Sequence, residues 1–303
     1  MKPLNQLRLL VIGTGLIGGS WAKGLKVRGQ IAHVSAYSRN TAVLEEGRAL
    51  GVLDQALANE AELDEAIEQA DVIVLGVPTL AVKHYLARIE QHRQTCSVVT
   101  DVASVKGEIA NMLIEHFSEV PSWFVLGHPI AGSEKSGITA SNPDLYVNHH
   151  VILTPCDNTD KQALSLIEEL WQAVGADVVC MPIKQHDKVL ASTSHLPHAL
   201  AFSLVDTLRA EDDSVDIFCY AAGGFRDFSR IAASHPVMWH DIMLANKTAI
   251  LEVMGDFRAK LDELELAMKT DDSASILAMF ERAKSSREDF SALLEERQSR
   301  PVK

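Results

Sequence analysis

The sequence predicts an α/β protein in two parts: an N-terminal doubly wound, mostly parallel sheet and a C-terminal all-helical domain. Three observations predict it. Apolar strand-like runs alternate with helical stretches from residue 1 to about 183. A glycine-rich turn, Gly13-Thr14-Gly15-Leu16-Ile17-Gly18, follows the first of those runs. After Pro182 strand-like runs vanish and long helical patterns take over. The expected division is residues 1–183 and 184–303.

The glycine turn organises the first part. Leu9 to Ile12 is a short apolar strand, and Ser20, Trp21, Ala22 and Leu25 are spaced as one face of a helix. Gly13 allows a sharp turn, Gly15 lets the backbone approach a pyrophosphate, and Gly18 lets the helix pack closely on the strand. The first-turn N–H groups, at Leu16, Ile17 and Gly18, are then free to hold phosphate oxygens. This is the pattern of a Rossmann-type dinucleotide site.

The remaining elements follow in order. The first helix stops near Gly29, and His33 to Tyr37 is the second strand. Asn40 or Thr41 caps a helix ending at Gly51, and Ala61 to Gln69 is helical. Asp71 to Val77 is a buried strand stopped by Pro78, so Val77 and Pro78 face the nucleotide crevice. Helices are expected over Leu80–Gln91, Lys106–Phe117 and Asp160–Val174. Strands are expected over Ser97–Thr100, Trp123–Leu126, Val151–Thr154 and Asp177–Met181. Beyond Pro182, helices cover Gln185–Leu208, Asp216–Tyr220, Pro236–Leu261 and Ser273–Glu296. The face carrying Ile250, Val253, Met254, Phe257 and Leu261 reads as internal core or, preferred here, as partly a subunit interface.

Bulk properties narrow the partners. The net charge of −13 argues against nucleic acid, which asks for a basic face. No apolar run approaches a membrane span of about 20 residues. The N-terminal apolar stretch is interrupted by Arg8 and reads as a strand rather than a signal peptide. The four cysteines form no CxxC pair, so neither zinc nor a disulfide framework is expected, which fits the cytoplasm.

The second strand ends Ala36-Tyr37-Ser38-Arg39-Asn40, with no acidic residue to bond a ribose 2′-hydroxyl. Arg39 can pair a 2′-phosphate and Ser38 can donate to it, which favours NADP, with NAD as the alternative.

Five blocks occur together and in order: GTGLIGGS, DVASVKGEI, GHPIAGSEKSG, SHLPHALAF and GGFRDFSRIAASHPVMWHDI. They resemble the prephenate/arogenate dehydrogenase family across nearly the whole chain. The resemblance implies a helical dimerisation domain, hence a homodimer. It also implies oxidative decarboxylation of a cyclohexadienol, prephenate or arogenate, with NAD or NADP, in tyrosine biosynthesis. No chorismate-mutase extension is expected ahead of the glycine turn. His128 is the expected proton acceptor: it sits at a strand end, and an imidazole titrates near working pH. Ser104 matches the serine that bonds the same hydroxyl; its alternative role is to cap the following helix. Arg230 matches the arginine that holds the ring carboxylate, where a guanidinium gives bidentate control. His198 matches a contact to the substrate side chain, and Glu134 and Trp239 match pocket residues. Trp239 reads equally well as a core aromatic. Ser133 is a weaker candidate for the side-chain carboxylate, Arg226 for a pair with Asp227, and His195 for packing. A β-hydroxyacid dehydrogenase is disfavoured, because its second domain uses a helical lysine where Ser194, His195 and His198 stand here. A non-catalytic dinucleotide sensor would not need His128, Arg230 and His198.

Overall fold

The computed structural model describes residues 2–132, 137–210 and 217–298. Six strands form a wholly parallel sheet: β1 (Arg8–Ile12), β2 (His33–Tyr37), β3 (Gln55–Leu57), β4 (Val72–Leu75), β5 (Val98–Asp101) and β6 (Phe124–Val125). They are joined through α1 (Leu16–Val27), α2 (Thr41–Ala49), α3 (Glu60–Gln69), α4 (Lys83–His92) and α5 (Lys106–Phe117). The order is β3-β2-β1-β4-β5-β6, so the winding reverses between β1 and β4. A crevice opens beyond the carboxyl ends of strands at such a point. β3 is a strand that the sequence did not announce; its three residues are too few to show a period.

Side-chain alternation builds two cores, one on each face of the sheet. Leu9 and Val11 of β1, with Val72 and Val74 of β4, face Trp21, Tyr146 and Trp171. Leu10, Ile12, Ile73 and Leu75 face Ile67, Leu86, Ile109 and Leu113 on the other side. In the first core Trp21 and Trp171 stack with centroids 4.2 Å apart. Tyr146 meets Trp171 edge-on and donates its hydroxyl to the Ile17 carbonyl at 2.6 Å, which ties down the first turn of α1.

The sheet does not continue past β6. The chain steps through Leu126 into β7 (Gly127–Pro129), which pairs antiparallel with β8 (His150–Leu153); β8 pairs parallel with β9 (Asp177–Cys180) across α6 (Lys161–Gln172). His128 therefore lies within a strand of a second, three-stranded sheet. It was expected in a loop at the end of the large one.

The rest is helical: α7 (Ile183–Leu190), α8 (Leu196–Ala210), α9 (Gly223–Ser229), α10 (Pro236–Ala245), α11 (Lys247–Lys269) and α12 (Ser273–Gln298). The expected helix Gln185–Leu208 is present with one wide π turn at Ala191–His195. Pro197 lies just beyond it and has no N–H to give the preceding turn, and a widened turn relieves the clash of its ring. The expected helix Pro236–Leu261 breaks at Asn246, whose buried side chain turns inward to the Asp187 carbonyl. Ile250 and Val253 are buried with Ala191 and Leu196, and Met254 and Phe257 pack on them. Those four residues are internal core, while Leu261, the last of the expected face, is exposed. Further exposed apolar residues are Leu251, Leu266 and Met268 on α11, and Leu277, Phe280 and Phe290 on α12.

Trp171→Ala empties the centre of the aromatic stack. Denaturant unfolding should register a loss of about 3–5 kcal/mol, the range for a buried large aromatic.

Candidate active site

The crevice at the winding reversal begins with Gly13, whose φ of +96° suits only glycine. A Cβ there would lie 2.6 Å from the Gly76 carbonyl carbon, so the turns after β1 and β4 are in backbone contact. Val77 also meets Gly13, and Pro78 opens a short 3-10 turn, Thr79–Ala81. Gly18 approaches Val11 and the Gly13 carbonyl, where a Cβ would stand at 3.2 Å. At Gly15 a Cβ would meet nothing within 4 Å, so the backbone borders open space. Gly15 is the N-cap of α1 and provides no side-chain cap. The N–H groups of Leu16, Ile17 and Gly18 begin the helix without intrahelical acceptors. Bare backbone donors beside an open cradle fit a dinucleotide pyrophosphate. At the end of β2, Ser38 accepts from the Asn40 amide at 3.3 Å, and Arg39 is exposed. Burial and then the nearby Tyr37 phenol push the Tyr85 phenol up, and the charge of Arg39 opposes them.

Beneath His128 lies a buried ion pair. Asp101 ends β5 and Lys106 begins α5, and both side chains are wholly buried and in contact. Asp101 accepts from the Gly127 amide at 3.2 Å and the Ala103 amide at 2.9 Å. Lys106 donates to the Gly127 carbonyl at 2.5 Å. Both backbone groups of the residue before His128 are thus held. Burial lowers the Lys106 ammonium, against the pull of Asp101.

His128 is 8% exposed. Its Nδ1 is 2.8 Å from Nε2 of His186, and His186 Nδ1 is 2.8 Å from Oδ1 of Asp187. The same carboxylate accepts from the Lys106 amide at 2.9 Å and the Gly107 amide at 2.8 Å. Asp187 on α7 therefore caps α5. Val105 occupies the N-cap position and no side chain of α5 caps it, so the alternative capping role of Ser104 is not what the structure shows. Ser104 sits half-buried in the β5–α5 turn. Burial, then the charges of His186, Lys106 and His195, hold the His128 imidazolium well below the ordinary value. Burial also lowers His186, although Asp187 opposes it. Burial alone would raise Asp187, but His186 and the two amides outweigh it and keep the carboxyl below its usual range.

The helical part supplies the other wall. His195 lies in the π turn, nearly wholly buried, and its Nδ1 accepts from the Asn246 amide at 3.0 Å. Burial pushes it down to about 4. His198, one turn on, donates from Nδ1 to the Ser194 carbonyl at 2.9 Å and stacks on Trp239 at 3.5 Å. Burial lowers it, and Arg230 adds to that. Trp239 is a buried aromatic against Val105 and Ile242, and His198 stacks on it. Arg230 opens the 3-10 turn Arg230–Ala233 and is exposed, with its charge felt at His198. Arg226 pairs with its neighbour Asp227 at 3.2 Å. Ser133 and Glu134 lie outside the described residues.

The structure thus groups His128 with His195, and His198 with Trp239 and Arg230. Sequence reasoning missed His186, Asp187 and Asn246. The only local signal was a polar His-Asp pair at the junction of the two parts.

Comparisons with known proteins cover both halves of the chain. Residues 21–180 match the family model "Prephenate dehydrogenase, nucleotide-binding domain", and residues 182–282 match "Prephenate dehydrogenase, dimerization domain". The chain is 34% identical over 282 residues to the cyclohexadienyl dehydrogenase of Zymomonas mobilis, covering 92% of this chain and 94% of that one. It is 35% identical to the crystal structure of Aquifex aeolicus prephenate dehydrogenase in complex with hydroxyphenyl propionate and NAD+, with a TM-score of 0.90 over 95% of this chain and 100% of that one. The crystal structure of Synechocystis arogenate dehydrogenase is 28% identical, with a TM-score of 0.79 over 94% of this chain and 100% of that one. With a nucleotide cradle, a buried imidazole and both halves matched, the chain belongs to the prephenate dehydrogenase family.

Proposed function

We propose that His128 accepts the C4 hydroxyl proton and Arg230 holds the ring carboxylate, in an enzyme that oxidatively decarboxylates prephenate or arogenate on the route to tyrosine. The observation that carries this is the environment of His128. It is a buried imidazole kept neutral, anchored at Nδ1 by His186 of the helical part. NAD(P) supplies the hydride acceptor when bound. The glycines Gly13, Gly15 and Gly18, with the amides of Leu16 and Ile17, hold its pyrophosphate, and Val77 and Pro78 border it. Ser38 and Arg39 read the adenosine ribose, so that NADP is preferred to NAD.

As hydride leaves C4, the hydroxyl proton passes to His128, and Ser104 bonds the same oxygen. The ring is then a dienone. The bond from C1 to the carboxylate breaks, and its electron pair is drawn toward the C4 oxygen. That oxygen takes back a proton, CO2 leaves, and the ring becomes a phenol. Arg230 fixes the carboxylate so that this bond stays aligned with the ring system. His198, stacked on Trp239, borders the substrate side chain. Residues 1–183 carry the nucleotide and 184–303 the substrate wall. The exposed apolar residues of α11 and α12 are the surface through which the chain forms a homodimer. Cytoplasmic placement fits the free cysteines. No helix among the described residues is long and apolar enough to cross a membrane.

His128→Asn should lower turnover by about 10²–10⁴ with little change in substrate affinity, the usual loss for an acid–base group. Unchanged turnover would remove His128 as the acceptor. In the wild type, the acid limb of kcat/KM should fall below the ordinary imidazole value of 6.5, because a depressed pKa keeps the base neutral further into acid. A limb above that value would contradict the buried, neutral reading. Arg39→Ala should raise KM for NADP far more than for NAD; equal effects would defeat the proposed preference.

A further inference from the structure

We infer that Asp187 and His186 form a tautomer lock: they fix the single ring proton of His128 on Nδ1 and so leave Nε2 as the bare, basic nitrogen. The inference rests on the reading of His128 as the base and adds two positioning residues to it. Neither touches substrate; both act through His128.

The direction of each bond follows from the chemistry of its partners. Asp187 accepts from the amides of Lys106 and Gly107, both obligatory donors, so its carboxylate is an acceptor there. His186 Nδ1 stands 2.8 Å from the same carboxylate and must carry the proton of that bond. A neutral imidazole has one N–H, so His186 Nε2 is bare and can only accept. Nδ1 of His128 lies 2.8 Å from it and must donate. The proton of a neutral His128 is then accounted for, and the lone pair belongs to Nε2. No proton travels along the row, because Asp187 stays ionised and His186 keeps its proton.

The charges around the row support this state. Lys106 stands beside His128 and His186 and disfavours a second proton on either ring, and His195 adds to this at His128. Asp101 favours a charged His186 but is already held by Lys106. A base whose proton sat on Nε2 would offer no lone pair at that nitrogen. A misplaced tautomer in an Asp-oriented histidine costs about 10⁴ in the serine-protease triad, a magnitude taken from that other system.

The lock also spans the two parts of the molecule. His128, Lys106 and Gly107 belong to the nucleotide part, while His186 and Asp187 belong to α7. The base is therefore set correctly only when α7 is docked on α5.

The test is long-range 1H–15N correlation of the histidine rings in the full chain, with His128 assigned by its loss in His128→Asn. Turnover with NADP and prephenate is measured on the same samples. The wild type should show His128 protonated at Nδ1 and bare at Nε2. His186→Gln places a side-chain carbonyl near the position of His186 Nε2, and should keep that tautomer and most of the turnover. His186→Leu removes the acceptor. It should move the proton to Nε2 and lower turnover by about 10²-fold or more. A wild-type proton on Nε2, or a His186→Leu protein with the wild-type tautomer, would overturn the lock. Should His186→Leu fail to fold, the wild-type and His186→Gln spectra decide alone. A wild-type proton on Nδ1 with full turnover in His128→Asn would discard the base and leave the lock. A proton on Nε2 with turnover lost in His128→Asn would do the reverse.

Discussion

One carboxylate joins the two parts of this molecule. Asp187 sits on the first helix of the helical part and closes the N-terminus of α5 in the nucleotide part, taking the first two amides of that helix. α5 has no side-chain cap of its own, because Val105 stands at the N-cap position. The partial positive charge of the helix end and two exposed donors would otherwise go unanswered. A cap of this kind contributes on the order of 1 kcal/mol, which is modest for stability. Its consequence for geometry is larger, because the same oxygen that accepts from Lys106 also holds His186, and His186 holds His128.

His128 is thus fixed from two independent directions. From below, Asp101 and Lys106 grip both backbone groups of Gly127. Two opposite charges are buried together there, an arrangement costly to break because it would strand one of them. From the side, α7 delivers His186. The π turn that follows α7 brings His195 inward, where Asn246 bridges it to the Asp187 carbonyl. The break between α10 and α11 at Asn246 and the widened turn before Pro197 are therefore parts of one polar junction. The histidines at this junction are neutral by burial, which suits a site that must remove a proton and then tolerate a change of charge in the ring.

Much of this was legible in the sequence, and the boundary is physical. The glycine turn was legible because its requirements are local: a positive φ at Gly13, an open backbone at Gly15 and close packing at Gly18. The helices and buried strands were legible from period and punctuation, and Asn40 and Asp160 act as caps on α2 and α6. What was not legible depends on contacts between distant residues. β7 is three residues of Gly-His-Pro that become a strand only by pairing with β8. His128 and His186 are 58 residues apart, and Lys106 and Asp187 are 81 apart. Ile250 and Val253 read as either core or interface, and only the packing of Ala191 and Leu196 on them decides for core. His128, His198 and Arg230 were singled out through motif resemblance, whereas His186, which contacts His128, and Asp187, which contacts His186, lie outside the motifs.

Amide hydrogen exchange in the wild type and in Asp187→Ala tests the central contact most directly. The account predicts that Lys106 and Gly107 amides are protected in the wild type and lose that protection in the variant, while Ile109 and Ala110, deeper in α5, keep theirs. Equal protection of Lys106 and Gly107 in both proteins would contradict it.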